Sequence, residues 1–184
     1  MAVSQLPSPS VPTHPTLLNS CAFAATAAEA RFRINAEPQA PRSSRVVALD
    51  AGAVAVVREL AEQSWRGTRF LRYDADAARS SGATDAPDTV ADVVLEAADG
   101  RVRLSEELID ADFMLMIATA NDGAAAASAI GNACTLRGIM TAAIILGDGR
   151  AADAAVNALR PHARVMLVTT DANDVAGIMS AVGA

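Results

Sequence analysis

The chain contains no lysine, and all 15 of its basic residues are arginine. A Walker-type phosphate loop, a Schiff-base enzyme and a lysine general base each require a lysine side chain, so these three classes are excluded. Acidic residues outnumber the arginines, which gives a net charge of −6. A nucleic-acid surface needs clustered cations that face phosphate groups, and no nucleic-acid partner is therefore expected.

Cysteine and histidine are also scarce. Cys21 and Cys134 have no second cysteine or histidine at ligand spacing, so each is predicted to be a small buried apolar residue. His14 lies in a proline-rich segment and His162 follows a proline, and neither has neighbours in sequence that would make it a general base. We therefore expect no metal site and no hydrolytic triad, and no catalytic residue is identified.

Long apolar runs are missing as well. The longest, such as Phe113–Ile117 and Ala142–Leu146, fall far below the roughly 18 residues that cross a membrane. The alanine-rich stretch Leu17–Ile34 has no cationic segment before it, which argues against a secretory signal. The sequence thus predicts a soluble, cytoplasmic protein with no membrane partner.

The chain divides near residue 41. Residues 1–41 contain two groups of prolines among serine, threonine and alanine, which predicts a flexible N-terminal arm. With 184 residues and 52% apolar content, the remainder, residues 42–184, can bury one core. One domain preceded by an arm is therefore expected.

From Arg45 onward, short β-branched runs alternate with helical stretches, which predicts an α/β domain. We expect a Rossmann-like, mainly parallel sheet of about five strands with helices on both faces and an inserted β-hairpin. The expected strands are Arg45–Leu49, Thr68–Tyr73, Val90–Glu96, Arg101–Leu104, Phe113–Ile117, Met140–Leu146 and Arg164–Thr169. The expected helices are Ala51–Trp65, Ala124–Arg137, Ala151–Leu159 and a closing helix from Asn173.

Two loop signals refine this prediction. Asp99-Gly100 is a hairpin-turn signal, and the hairpin is expected at a sheet edge, where Glu96, Arg101 and Arg103 would discourage edge pairing. Residues 80–89 are a loop by composition.

Polar residues follow several of the predicted strands. Because the carboxyl ends of parallel strands meet in the crevice where open α/β sheets bind ligands, these residues are candidates for a binding site. They are Asp50, Asp74, Asp76, Asn121, Asp122, Gly123 and Asp148. A group of acids suits a divalent cation, a ribose or a cationic ligand better than a bare phosphate. The alternative is that they cap helices, which we expect for Asp122 and Asp171.

Four stretches together resemble the tubulin/FtsZ-like GTPase family, in its nucleotide-binding half. Residues 46–60 are similar to the family's first strand and glycine-rich loop, and residues 66–76 to its second strand ending in Asn-Thr-Asp. Residues 112–127 with 138–141 are similar to its signature loop and the strand that follows, and residues 158–168 to the last strand of that half. The resemblance implies GTP or GDP as ligand and, as cofactor-binding residues, Asp50, Ala51, Gly52, Asp74, Asp76, Asn121, Asp122 and Gly123.

Both phosphate loops depart from that family. Only Gly52 remains in the first loop and only Gly123 in the second, and each loop has gained an acid, Asp50 and Asp122. A Cβ on each residue obstructs close approach of the backbone to phosphate, and a carboxylate repels it. The chain also ends shortly after Thr170, without the second domain that completes the neighbouring active site in that family. GTP hydrolysis and filament formation are therefore not expected.

Two functions stay open. The first is a degenerate, non-hydrolysing FtsZ-like domain that acts through a protein partner or by forming a homo-oligomer. Val175, Ile178, Met179 and Val182 recur at helical spacing and form either an interface or a cover for the domain's own core. The second is a small-molecule or nucleotide binder that uses the crevice at the carboxyl ends of the strands. A dinucleotide enzyme is excluded, because the turn after the first strand lacks Gly-x-Gly-x-x-Gly.

Overall fold

The computed structural model describes residues 43–76, 93–147 and 149–182. All of them belong to the second of two compact units, Gln39–Ala184. The predicted arm, the loop at residues 80–89 and the candidate Asp148 lie outside the described residues. The expected domain boundary near residue 41 stays a prediction.

Seven strands and five α-helices have both of their ends within the described part, and Ala75 and Asp76 are also helical. The strands are β1 (Ser44–Ala48), β2 (Thr68–Tyr73), β3 (Val94–Ala97), β4 (Gly100–Arg103), β5 (Phe113–Ala118), β6 (Met140–Leu146) and β7 (Val165–Thr169). The helices are α1 (Ala51–Ala61), α2 (Leu104–Glu107), α3 (Ala124–Arg137), α4 (Asp153–Leu159) and α5 (Asn173–Val182). A 3₁₀ turn, Arg150–Ala152, leads into α4.

The strands form one sheet in the order β4-β3-β2-β1-β5-β6-β7. Five neighbouring strands of this sheet are parallel, namely β2, β1, β5, β6 and β7. Strand β3 runs antiparallel to β2 and pairs with β4 as a hairpin. If only the parallel strands are numbered along the chain, their order in the sheet is 2-1-3-4-5, which is common in doubly wound α/β sheets. The predicted fold class and the hairpin at a sheet edge are both confirmed.

Strand β5 lies inside the sheet and is buried along its whole length. Because side chains alternate along a strand, it supplies both cores. Met114 and Met116 pack on one face with residues of α3 and α4. Phe113 and Leu115 pack on the other face with residues of α1 and α5. Helices thus cover both faces, which explains why this strand is a continuous apolar run.

Helix α1 ends earlier than predicted. Its last residue is Ala61 and Glu62 is the C-cap, whereas the sequence pattern favoured a helix up to Trp65. The Trp65 indole folds back and donates its N–H to the Leu60 carbonyl at 2.8 Å. The same carbonyl also accepts from the Gln63 N–H at 3.0 Å, so backbone and side chain together satisfy the last turn of the helix. Helix α3 ends as predicted, with Gly138 in the left-handed conformation at φ 70°.

Helix α5 begins at Asn173, as predicted, and its apolar stripe faces inward. Val175 and Met179 are fully buried in the core, and Ile178 packs partly against it. The side chain of Val182 lies outside the described part. Of the two alternatives for this stripe, covering the domain's own core is the one that holds for Val175 and Met179, so these two residues do not form an exposed interface.

Candidate functional site

The sheet order reverses at β1. The chain passes from β1 to β2 on one side and later returns to β5 on the other side of β1. Open α/β sheets bind ligands in the crevice at such a switch point, outside the carboxyl ends of the two strands. Here Asp50 lies in the short connection after β1, Ala51 and Gly52 are the first residues of α1, and the loop after β5 carries Thr119 and Ala120.

The Asp50 carboxylate fills the space between these two loops. Its Oδ1 accepts hydrogen bonds from the Ala53 N–H at 2.9 Å and from the Thr119 hydroxyl at 2.6 Å. Its Oδ2 accepts from the N–H groups of Thr119 at 2.7 Å and Ala120 at 2.9 Å. Three backbone N–H groups, one of them at the start of α1, thus converge on a carboxylate of the protein itself. Such N–H groups are the donors that bind phosphate in other α/β proteins.

Two opposing effects act on the pKa of Asp50. Burial raises it, since Asp50 is only 8% exposed and a charged group loses hydration there. The hydrogen bonds from the Thr119 hydroxyl and from the backbone of Ala53, Thr119 and Ala120 lower it. Together they outweigh burial and leave the pKa below its ordinary value. Asp50 is therefore an ionised internal carboxylate that ties β1, α1 and β5 together.

Gly52, in the first turn of α1, and Gly123, just before α3, lie where the segments after β1 and β5 touch. A Cβ on Gly52 would come within 2.2 Å of Thr119 Oγ1, and a Cβ on Gly123 within 2.3 Å of the Leu49 carbonyl oxygen. Both distances are shorter than any normal contact, so neither position has room for a side chain without rearrangement. The lack of a Cβ at these positions allows one loop to pack on the other.

Asn121 binds another helix. Its Oδ1 accepts from the N–H groups of Ala154 at 2.8 Å and Ala155 at 3.3 Å, in the first turn of α4. The N-cap of α4 is Ala152, which has no side-chain oxygen, so Asn121 supplies the cap from the loop after β5. The side-chain oxygen of Asn121 therefore has a structural role as the cap of α4.

An open crevice of about 330 Å³ lies beside these loops, displaced toward β2 and the hairpin. Five of the eight candidate residues line it: Asp50, Ala51, Asp74, Asp76 and Asp122. Gly52, Asn121 and Gly123 do not line it. Residues that the sequence had not marked as site residues complete the wall, namely Leu49, Val54, Arg72, Tyr73, Ala75, Glu96 and Arg101.

Two ion pairs organise the wall of the crevice. Asp74 is buried, and the Arg101 Nε lies 2.8 Å from its Oδ2. Arg72 pairs with Glu96 across the β2–β3 ladder. Each of these two guanidinium groups thus pairs with a carboxylate of the wall. The side chains of Asp76 and Asp122, which also line the crevice, are exposed. Among the described residues, five carboxylates and two guanidinium groups line the crevice, so this part of its lining is net acidic.

An apolar groove of about 260 Å³ adjoins the crevice. It runs between α1 and β2, where Val57, Ala61 and Phe70 line it. Val54, Arg72 and Glu96 line both spaces, so the groove and the crevice are contiguous. A ligand with an apolar part and a polar part can therefore contact both.

Helix capping was predicted for two acids, with different outcomes. Asp171 Oδ1 accepts from the Asn173 N–H at 2.9 Å, at the start of α5, which confirms its capping role. For Asp122 the prediction is wrong. Helix α3 begins after Gly123 without a side-chain cap, and Asp122 lies exposed in the wall of the crevice.

The residues predicted to be chemically inert include Cys134, which is fully buried. Burial raises the pKa of its thiol to about 11, so the reactive thiolate is not formed near neutral pH. Cys21 lies outside the described residues.

Within residues 43–76, 93–147 and 149–182, no three histidine, cysteine or acidic side chains are placed to hold one metal ion.

Comparison of the chain with protein-family models, with curated proteins and with solved structures finds no significant match. What is established is the mixed, Rossmann-like α/β fold. Among the described helices, none is long and apolar enough to cross a membrane. The function must therefore be argued from the geometry of the crevice.

Proposed function

We propose that this chain is a non-hydrolysing ligand-binding domain whose crevice takes a small organic molecule with cationic or hydroxyl groups. One observation carries the proposal. The N–H groups that would bind a phosphate at the switch point are occupied by Asp50, while an open, acid-lined crevice lies next to them. Its volume lies at the lower end of the range for small-molecule sites.

Charge and shape define the ligand class. A triphosphate or diphosphate would meet the exposed carboxylates of Asp76 and Asp122, and like charges about 4 Å apart repel by roughly 4 kcal/mol at the effective dielectric of about 20 near a protein surface. A ribose or an amine meets acceptors there, and the contiguous groove at Val57 and Phe70 can receive an apolar part. A polyamine or a nucleoside without phosphate fits this description.

A thermal-shift panel tests the ligand class. The full chain is heated with spermidine, guanosine, adenosine, GDP and GTP, the nucleotides with and without magnesium. We expect the uncharged or cationic compounds to stabilise the fold, by about 2.7 kcal/mol at a hundredfold excess over the dissociation constant, and the nucleotides to have less effect.

Substitutions locate the binding site. The double change Asp76→Asn and Asp122→Asn removes both exposed carboxylates of the crevice and should abolish the shift. Asp110→Asn also removes an exposed carboxylate, but at a residue outside the crevice, and should leave the shift intact. Tighter binding of GTP than of guanosine would contradict the proposed ligand class.

The relation to the tubulin/FtsZ-like GTPases is part of the same proposal. Its support is that the four similar stretches fall, in order, on β1 with α1, on β2, on β5 with α3 and on the region of β7. The proposal includes a cytoplasmic location, where such nucleotides and polyamines are available.

No GTP turnover is expected from the purified chain. The reason is that the N–H donors of the two loops already bind Asp50, so the β- and γ-phosphates have no cradle. GTP turnover is measured as the release of inorganic phosphate from the purified chain in the presence of GTP and magnesium. Turnover that persists through purification and disappears in Asn121→Ala or Asp122→Ala would overturn this expectation.

A further inference from the structure

The sheet has two edges, and they differ in chemistry. The outer strand β4 carries exposed Arg101 and Arg103, charges of the kind that prevent edge strands from pairing with another chain. The outer strand β7 and the residue after it read Val-Met-Leu-Val-Thr-Thr, with no charge and no proline. One edge of the molecule is therefore protected and the other is not.

The β7 edge also exposes large apolar side chains. Val165 is 55% exposed and Val168 is 48% exposed, and within the described ranges β7 pairs only with β6. Outward-pointing backbone N–H and C=O groups on such a strand are ready to pair with an added strand. Apolar side chains and unpaired backbone groups on the same strand fit a β-strand partner better than a helix.

Charge at the ends of β7 selects the partner. Arg164 precedes the strand and Asp171 follows it, and both are exposed. A second copy of the chain can align antiparallel through a two-fold axis in the register that places Leu167 opposite Val168. In that register Arg164 of each copy lies beside Asp171 of the other, so the contact forms twice. A parallel copy would instead place Arg164 beside Arg164.

We propose that β7 is a homodimer interface, in which two copies pair antiparallel and extend the sheet across both molecules. This interface is separate from the crevice, and the proposal does not depend on whether the crevice binds a ligand. It differs from the α5 stripe expected from the sequence, because Val175 and Met179 of that stripe lie in the core.

Analytical ultracentrifugation of the full chain over a range of concentrations tests the dimer. Val168→Lys should raise the dissociation constant about tenfold or more, because it places a charge on the pairing edge. Leu136→Lys is the matched control. Leu136 is 84% exposed on α3, so the same change there should leave the dissociation constant unaltered. A chain that is monomeric at every concentration, or a dimer insensitive to Val168→Lys, overturns the proposal.

Two further measurements test the antiparallel geometry. Arg164→Glu should weaken the dimer about tenfold, since it makes both symmetric charge contacts repulsive. Hydrogen exchange of the β7 amides should slow as the concentration rises, because the outward N–H groups gain partners. Exchange that is already slow and independent of concentration would show that a segment of the same chain covers the edge, and that outcome also overturns the proposal.

Discussion

Asp50→Asn is expected to destabilise the fold by about 3 kcal/mol in urea unfolding. The Asp50 carboxylate is 8% exposed and accepts four hydrogen bonds, two on each oxygen. An amide keeps one acceptor oxygen and turns the other into a donor. Whichever way it is oriented, at least one backbone N–H of Ala53, Thr119 or Ala120 loses its acceptor and faces another N–H. A buried donor left without a partner incurs its full desolvation cost.

Asp122→Asn provides the matched control for this substitution. Asp122 lies in the loop after β5, close to Thr119 and Ala120, but its side chain is exposed. The same chemical change there should alter the free energy of unfolding by no more than about 0.5 kcal/mol. Equal effects of the two substitutions would mean that the Asp50 bonds do not stabilise the fold.

The effect of Asp50 also depends on pH. Its pKa in the folded protein lies below the ordinary value of about 4 that it has in the unfolded chain. A carboxylate with a lowered folded pKa stabilises the protein above the unfolded pKa, and this stabilisation is lost as the pH falls through the folded pKa. The difference in stability between the wild type and Asp50→Asn should therefore be constant near neutral pH and shrink below about pH 4.

Small anions offer an independent check. Asp50→Ala leaves the same N–H groups with an empty space where the carboxylate was. Formate should restore part of the lost stability, while chloride at equal ionic strength should restore less, because a carboxylate has two oxygens to accept the converging bonds. Equal effects of the two salts would indicate general screening by salt instead.

Gly123→Ala is expected to destabilise the fold by about 2 to 3 kcal/mol. The backbone of Gly123, at φ −97° and ψ 9°, is accessible to alanine, so the cost is steric. The added Cβ would lie 2.3 Å from the Leu49 carbonyl oxygen and 2.7 Å from the Leu49 Cβ. Relief requires the loops after β1 and β5 to move apart, which also strains the hydrogen bonds of Asp50.

Gly177→Ala is the opposite case and serves as the control. Gly177 lies in α5, and no atom stands within 4 Å of a Cβ built there. Alanine restricts the unfolded chain and favours the helix, so this change should stabilise the protein by about 0.5 to 1 kcal/mol. If Gly123→Ala were equally harmless in urea unfolding, close packing of the loops would not explain why that position lacks a side chain.

The fold class could be predicted from the sequence, because the signals that indicate it are local. The continuous apolar run of β5, the left-handed stop at Gly138 and the turn at Asp99-Gly100 each depend on a few adjacent residues. The structure confirms the parallel sheet with its edge hairpin, as well as the starts of α3 and α5. Helix α1 was expected to reach Trp65 but ends at Ala61, and the Trp65 indole instead bonds back to the Leu60 carbonyl.

The hydrogen-bond and ion-pair partners of the candidate site residues could not be predicted from the sequence. The sequence placed Asp50 at a strand end, but its partners Thr119 and Ala120 lie 69 and 70 residues further along the chain. Asn121 caps a helix that begins more than 30 residues later, and Arg101 reaches Asp74 from the hairpin. A hydrogen bond or an ion pair is set by distance and direction in space, whereas periodicity and turn chemistry report only on near neighbours. For that reason the sequence predicted where the crevice lies, while its bonds and its charge balance required the fold.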